Sequence, residues 1–400
     1  MMDQITPKAV KEFKIVGTRP LRPDGIDKVT GKAMYGADLY APNMLYGCLL
    51  RINEPHAFIE SIDISNAEKL PGVKSIVTFK DFLKINPDNK NNPILENCIS
   101  NEKVLYDGHA VAAIAAVDLN TAKKALKLIK VKYKKLPFVI NVEEAMKTGA
   151  PIVSVGKKNE NIPDGYSDNV IQYCSFGNGN LEDGFKTADK VIKRTFKTPS
   201  VHQGYIEPHA CLASMSNDGK ADLWCCTQGH FNVRSICSNI FKMDNSQLKV
   251  TASEIGGGFG GKTTVFIEPI ALALSQKSGH PVKIVMSREE VFKATGPTVS
   301  SLVDVEIGMK KTGKITAAKA IIRYEGGAFP NETYELGAQS AFASYDLDAV
   351  KTEAFNVLTN RPCQAAYRAP GAPQSIYAVE SVIDELCQYF NQDPLYVRIL

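Results

Sequence analysis

Residues 248–279 read LKVTASEIGGGFGGKTTVFIEPIALALSQKSG: a strand-like run, a glycine-dense turn and a helix-like run in direct succession. Five of the six residues from Gly256 to Gly261 are glycine. Main chain without side chains can adopt positive φ and turn several N–H groups in one direction, which suits an anion or a bulky polar cofactor. Glu268 to Lys277 reads as a helix, with Pro269 in its first turn and Gly279 just past its end. The plain structural alternative is a turn that only permits close packing. A second alternative is the phosphate-binding P-loop, G-x-x-x-x-G-K-[ST], which Gly256, Gly261, Lys262 and Thr263 satisfy. A nucleotide hydrolase would also need an apolar strand ending in a magnesium-binding Asp. The best candidate, Leu302-Val303-Asp304, puts only two apolar residues ahead of it.

A second loop lies about a hundred residues downstream. Ala366-Tyr367-Arg368-Ala369-Pro370-Gly371-Ala372-Pro373-Gln374 runs into the helix-like segment Ser375 to Phe390. Prolines fix its path, and Arg368 carries a fork of donors whose ordinary fate is a surface ion pair. Thr227-Gln228-Gly229-His230 follows the strand-like run from Ala221, so Gln228 could donate an amide hydrogen bond into a site or be satisfied within its own loop. His202, Glu207 and His209 match no ligand spacing and read as structural.

Around these loops the chain reads as mixed α and β. Met44–Ile52, Phe58–Ile64, Val73–Phe79 and His109–Val117 have strand character. A helix then carries Ala122, Ala125, Leu126 and Ile129 on one face, and Lys130–Tyr133 returns to strand. Val191–Thr198 and Leu248–Ser253 are further strands. Asn86–Asn101, with DNKNNP inside it, reads as a polar surface loop, and breaker-rich 149–179 places a boundary near 145–165. Two domains are expected, 20–147 and 160–400.

Composition narrows the function classes. With 400 residues, 44% apolar and 22% charged, the chain can bury a sizeable core. Lys and Arg number 47 against 43 acidic residues, a net +4 that argues for neither nucleic acid nor an anionic membrane. The longest apolar stretch, Ala110–Val117, is too short for a bilayer needing about 20 residues. The polar N-terminus lacks a secretory core, which points to the cytoplasm. Nine cysteines without a C-x-x-C pair, and six scattered histidines, give no zinc or iron–sulfur signature. The thiols read as small buried hydrophobes.

Taken together and in order, these stretches resemble the large molybdenum-binding subunit of the xanthine dehydrogenase/aldehyde oxidase family. GTRPLRPDGIDKVTGKAMYGADL, NEPHAFIESIDIS and VLYDGHAVAAIAA resemble its α/β hammerhead domain. VHQGYIEPHA, TQGHF, EIGGGFGGK, SGHPVKIVMSREE, YEGGAFPN and AAYRAPGAPQ resemble its first molybdopterin-binding domain. The resemblance implies an α+β fold, a hammerhead domain followed by the first part of the cofactor domain. It implies a molybdenum–molybdopterin cofactor, water-derived oxygen placed on a carbon, and electrons passed to iron–sulfur and FAD partner subunits. Gln228, Gly258, Phe259, Gly260, Gly261 and Arg368 would border the cofactor, with Gln228, Phe259 and the Arg368 main-chain N–H near molybdenum but not ligating it.

The resemblance also carries departures. Thr263 stands where purine-oxidising members have a Glu, Leu336 where they have an Arg if no gap intervenes, and Pro370 where they have an aromatic. Xanthine is therefore disfavoured, leaving an aldehyde or another heterocycle. Ala369 occupies the position of the Cys of copper-containing carbon monoxide dehydrogenases. The family's general base lies in a second half of the subunit, and none of Glu207, Glu268 and Glu325 can be assigned its role. The expectation is an incomplete active site, finished by more of the same chain or by a separate polypeptide, with the two loops on an open surface. A cofactor-binding module without turnover is the remaining alternative.

Overall fold

A computed structural model describes residues 13–154 and 161–399. The first half carries β1 (Leu45–Ile52), β2 (Ala57–Asp63), β3 (Val73–Val77), β4 (Lys103–Val104), β5 (His109–Ala116) and β6 (Lys130–Lys135). Then follow β7 (Val170–Asn178), β8 (Lys190–Thr198), β9 (Ala210–Met215), β10 (Ala221–Cys225), β11 (Leu248–Ala252) and β12 (Val282–Val285). The last are β13 (Ser301–Met309), β14 (Ile315–Gly327) and β15 (Val350–Leu358).

One sheet orders its strands β11-β10-β9-β12-β1-β5-β3, a second β7-β15-β14-β13-β8, and a third β4-β2-β6. The seven-stranded sheet unites the two halves of the chain, because β1 pairs parallel to β12 with Leu45 opposite Val282. The boundary expected at 145–165, of which 155–160 lie outside the described residues, thus does not separate the hydrophobic cores of the two halves. Every residue of β5, HAVAAIAA, is buried, as a strand covered on both faces requires. Ala110, Ala113 and Ala115 join the core that includes the helix Glu268–Ser278. Ala112 and Ile114 meet Ala125 and Ile129 on the other face.

The helix Glu268–Ser278 starts with Pro269 in its first turn and ends on Gly279 at φ 68°, where a residue with a Cβ is strained. Ile270 to Leu274 are buried all round, so packing holds this helix more than propensity does. The helix Ala372–Phe390 covers the five-stranded sheet, burying Ala378, Val379, Val382, Ile383 and Leu386 against Val303, Val305 and Ala320.

Asn86–Asn101 corrects the expectation of a surface loop. It forms a 3-10 turn, Pro87–Asn91, and a helix, Pro93–Cys98, with Leu95 and Ile99 wholly buried. Its asparagines serve as caps and ties. Asn92 accepts from the N–H groups of Ile94 and Leu95, and Asn89 donates to the carbonyls of Phe82 at 3.1 Å and Ile240 at 3.0 Å.

His109 fastens this helical segment to β5. Its Nε2 lies 2.7 Å from the Glu96 carbonyl, and its Nδ1 accepts from the Leu105 N–H at 3.2 Å. A neutral ring protonated at Nε2 satisfies both, and burial pushes its pKa down to about 4. The folded ring stays neutral at pH values where the unfolded ring binds a proton. The stability it contributes is therefore present above about pH 6.5 and lost as pH falls toward 4. Urea unfolding midpoints should decline between pH 6.5 and 4.5, and His109→Gln should flatten that decline.

Candidate cofactor and substrate site

β10 and β11 run parallel, with Ala221 opposite Leu248 and Cys225 opposite Ala252. The chain consequently leaves both strands at the same edge of the sheet, where ligands of parallel sheets collect. Gln228 follows β10 and the glycine loop follows β11. The Gln228 side-chain oxygen accepts from the N–H groups of Gly260 at 2.9 Å and Lys262 at 3.3 Å. That fixes the amide orientation and leaves its NH2 exposed, without a hydrogen bond to the described protein. The reading of Gln228 as satisfied within the protein holds at its oxygen.

The loop is glycine for steric reasons that can be named. A Cβ on Gly258 would lie 2.5 Å from the Gln228 oxygen, and one on Gly260, at φ 103°, 2.6 Å from the Ala366 carbonyl. Phe259 itself sits at φ 53°, unusual for a non-glycine residue, and its ring is half exposed at 51%. The N–H groups of Gly257, Gly258 and Phe259 have no acceptor among the described residues.

The second loop closes on the first. The Arg368 N–H donates to the Phe259 carbonyl at 2.9 Å, so the two loops converge as expected. One implied detail changes, because that N–H is used inside the protein and is not offered to a ligand. The Arg368 guanidinium is exposed and has no ion pair among the described residues, unlike the commonplace surface arginine. Ala369 and Gly371 both take positive φ, and Tyr324 donates to the Gly371 carbonyl at 2.7 Å, fixing the loop over the second sheet.

Beneath the glycine loop lies a buried ion pair. Lys262 Nζ donates to Glu207 Oε2 at 2.7 Å, with both side chains almost wholly buried. The same carboxylate accepts from the N–H groups of Gly36 at 3.1 Å and Gly256 at 2.8 Å. Tyr205 packs under Lys262 and hydrogen-bonds His209 at 2.8 Å, and burial pushes the His209 pKa down to about 3. Gln203 donates to the carbonyls of Gly296 and Ala366, both at 2.9 Å. The structural reading of VHQGYIEPHA therefore fits, but its scale has no local sign in the sequence: this segment is the floor of the site.

The P-loop alternative fails here. Lys262 points into the protein, away from any phosphate the loop could hold. Asp304 lies on the other sheet, bound to Thr195 at 2.6 Å and Arg323 at 2.7 Å. Glu268 and Glu325 are structural too. Glu268 accepts from the N–H groups of Phe266 and Ile267, while Glu325 accepts from Ser300, Thr359 and Arg361.

Beside the loops opens a cavity of about 460 Å³. Thr263, Leu336 and Pro370, the three substrate candidates, all line it, with Ile94, Phe329 and Gln364. The Thr263 hydroxyl is occupied by the Gly260 carbonyl at 2.9 Å, so its donor is not free for a substrate. Ile94 comes from the helix in 86–101, and nothing in the residue pattern signals that this segment reaches the site. All nine cysteines are unbridged. Among the described residues no group of His, Cys, Asp and Glu could hold a metal, and no helix is long and apolar enough to cross a membrane.

Comparison with known proteins gives this site its family. Residues 162–400 match the model of the molybdopterin cofactor-binding domain, and residues 30–137 match the a/b hammerhead domain of aldehyde oxidase and xanthine dehydrogenase. The chain belongs to this family. Its fold is a hammerhead domain followed by a molybdopterin-binding domain. It is 32% identical over 387 residues to a probable xanthine dehydrogenase subunit of Bacillus subtilis, covering 94% of this chain and 50% of that one. It is 27% identical over 396 residues to the nicotinate dehydrogenase large molybdopterin subunit of Eubacterium barkeri, covering 98% and 90%. The solved structure of quinoline 2-oxidoreductase from Pseudomonas putida 86 superposes with a TM-score of 0.85 at 25% identity, over 96% of this chain and 49% of that one. The chain thus spans about half of the first and third of these proteins, and most of the second.

Lys262→Met should strand the Glu207 carboxylate in the interior and cost about 3–5 kcal/mol of stability in denaturant titrations. ATP, which a P-loop would bind, should give the wild-type protein no thermal protection.

Proposed function

We propose that this chain is the cofactor-holding part of a molybdenum hydroxylase that oxidises an aldehyde or a heterocycle. The observation that carries the proposal is the convergence of the two loops, joined by the Arg368 N–H to Phe259 carbonyl bond. The residues present fit an anionic, bulky group: glycines where a Cβ would collide, unpaired N–H groups at Gly257, Gly258 and Phe259, and a free amide on Gln228. Among the described residues there is no metal-ligand cluster to compete with ligands brought by a pterin.

When bound, the molybdenum–molybdopterin group would supply two-electron oxidation of a carbon using oxygen from water. Gln228, with its oxygen held by Gly260 and Lys262, would aim a pre-set donor at that group from one side. Gly258, Phe259, Gly260 and Gly261 would bring main chain and the Phe259 ring against it, and the exposed Arg368 guanidinium would balance its charge. Thr263, Leu336 and Pro370 would shape the substrate's place through contact, with Leu336 and Pro370 as apolar walls. A purine would find neither a carboxylate at 263 nor a guanidinium at 336, and unpaired polar edges are costly to bury.

The half-exposed Phe259, Leu336 and Arg368 favour a site closed by further polypeptide, which would also bring the general base. Iron–sulfur and FAD subunits would take the electrons. The unbridged thiols suit a reducing compartment, the cytoplasm. A cofactor-binding module without turnover would keep the same loops and fail to pass electrons.

Two measurements test the proposal. The protein purified with its natural partners should contain molybdenum and a pterin in equal amounts and reduce a dye when given an aldehyde or heterocycle. Absence of both cofactor components overturns the assignment. Gly260→Ala should drive a methyl into the Ala366 carbonyl, lower stability by roughly 1–3 kcal/mol and deplete bound molybdenum, measured by metal analysis beside circular dichroism.

A further inference from the structure

The cavity of about 460 Å³ beside the loops is walled chiefly by apolar side chains, among them Ile94, Phe266, Phe329, Leu336 and Pro370. Most polar groups on this wall are already used or shut away. The Thr263 hydroxyl gives its proton to the Gly260 carbonyl, and the Asn331 amide donates to the Gly326 carbonyl and accepts from the Thr333 N–H. The Gln364 amide and the Asn97 Oδ1 are sealed from the cavity.

Two lining hydroxyls differ from these. Thr264 is half-buried and Thr333 is 8% exposed, and neither hydroxyl has a partner among the described residues or is sealed from solvent. Both stand on fixed backbone. Thr264 lies between Thr263, which is tied to Gly260, and the wholly buried Val265. Thr333 opens the helix Thr333–Ser340, which also carries Leu336. A hydroxyl both donates and accepts, so either can meet a ring nitrogen, a ring N–H or a carbonyl oxygen, whereas the open NH2 of Asn97 only donates. Among the described lining residues there is no Lys or Arg, and the one charged side chain is Glu332, which is exposed. An anion on this wall would meet a carboxylate and no cation.

We propose that Thr264 and Thr333 determine specificity, their hydroxyls taking the polar edge of an uncharged aromatic heterocycle or aldehyde while the rest of its surface packs on the apolar wall. Small-molecule sites are commonly built in this way, from apolar walls and a few polar groups that fix orientation. This inference rests on the substrate cavity of the proposed hydroxylase and names what marks its substrate: one polar edge and no charge. Loss of either hydroxyl leaves the fold its shape and takes from the substrate the group that orients it.

The test is binding to protein kept reduced with dithionite, so that no probe is turned over. The protein with its natural partners is titrated calorimetrically with isoquinoline, naphthalene and benzoate, at mildly alkaline pH where isoquinoline carries no charge. Wild type is compared with Thr264→Val/Thr333→Val and Thr264→Ser/Thr333→Ser. Isoquinoline and naphthalene share a shape and differ by one ring nitrogen. Wild type should bind isoquinoline at least about fivefold more tightly than naphthalene, and more tightly than benzoate. Valine keeps the outline of threonine without its hydroxyl, so the valine variant should lose the preference for isoquinoline with naphthalene binding unchanged. The serine variant, which keeps both hydroxyls, should retain the preference. Equal loss of both ring probes in the valine variant would mark the threonines as structural and overturn the proposal. An unchanged preference in that variant, or tightest binding of benzoate to wild type, would overturn it equally. Metal analysis of the same samples separates two failures: with molybdenum and pterin present these results sink only this inference, and absence of both sinks the hydroxylase.

Discussion

One carboxylate holds the site together. Glu207 takes the Lys262 ammonium, the Gly256 N–H at the start of the glycine loop and the Gly36 N–H from the far end of the chain. A loop so rich in glycine loses much conformational freedom when it is ordered. Fixing its first residue and its lysine to one buried acceptor confines that freedom between two anchored ends. Gln228 then pins the middle through Gly260, and Phe259 hands the geometry on to Arg368. Remove the carboxylate, and neither the amides that face a ligand nor the second loop have a fixed reference.

Strain and freedom are distributed accordingly. Phe259 and Ala369 both occupy positive φ, one in each loop, on either side of the hydrogen bond that joins them. Such conformations persist where the surroundings over-determine them, and here a buried ion pair and a covering helix do so. Gln228 and Arg368, both exposed, leave an NH2 and a guanidinium without a partner among the described residues.

The glycine loop, its helix and the second loop were legible because their chemistry is local: glycine density, Pro269 and Gly279 placement, and the proline-framed arginine all act over a few residues. The apolar alternation of β1 and the continuous run of β5 were legible for the same reason. Asn86–Asn101 was misread because a polar side chain looks alike in sequence whether it faces water or caps a buried helix. Lys262 kept a phosphate-binding alternative open in the sequence, since a motif records spacing and not the direction of a side chain. Its partner Glu207 stood in a segment rightly read as structural, but no local pattern joins the two.

The parallel pairing of β1 with β12 also has a temporal side. During synthesis Leu45 has no neighbour on that flank until Val282 has emerged. At roughly 5–20 residues per second, that leaves an apolar strand edge bare for tens of seconds on the ribosome. Gly47 closes this pairing opposite Ile284, where a Cβ would come within 2.5 Å of the Ile284 side chain. A nascent chain with an open edge of this kind is a natural client for holding chaperones, and its yield in a foreign host will depend on how well that interval is guarded.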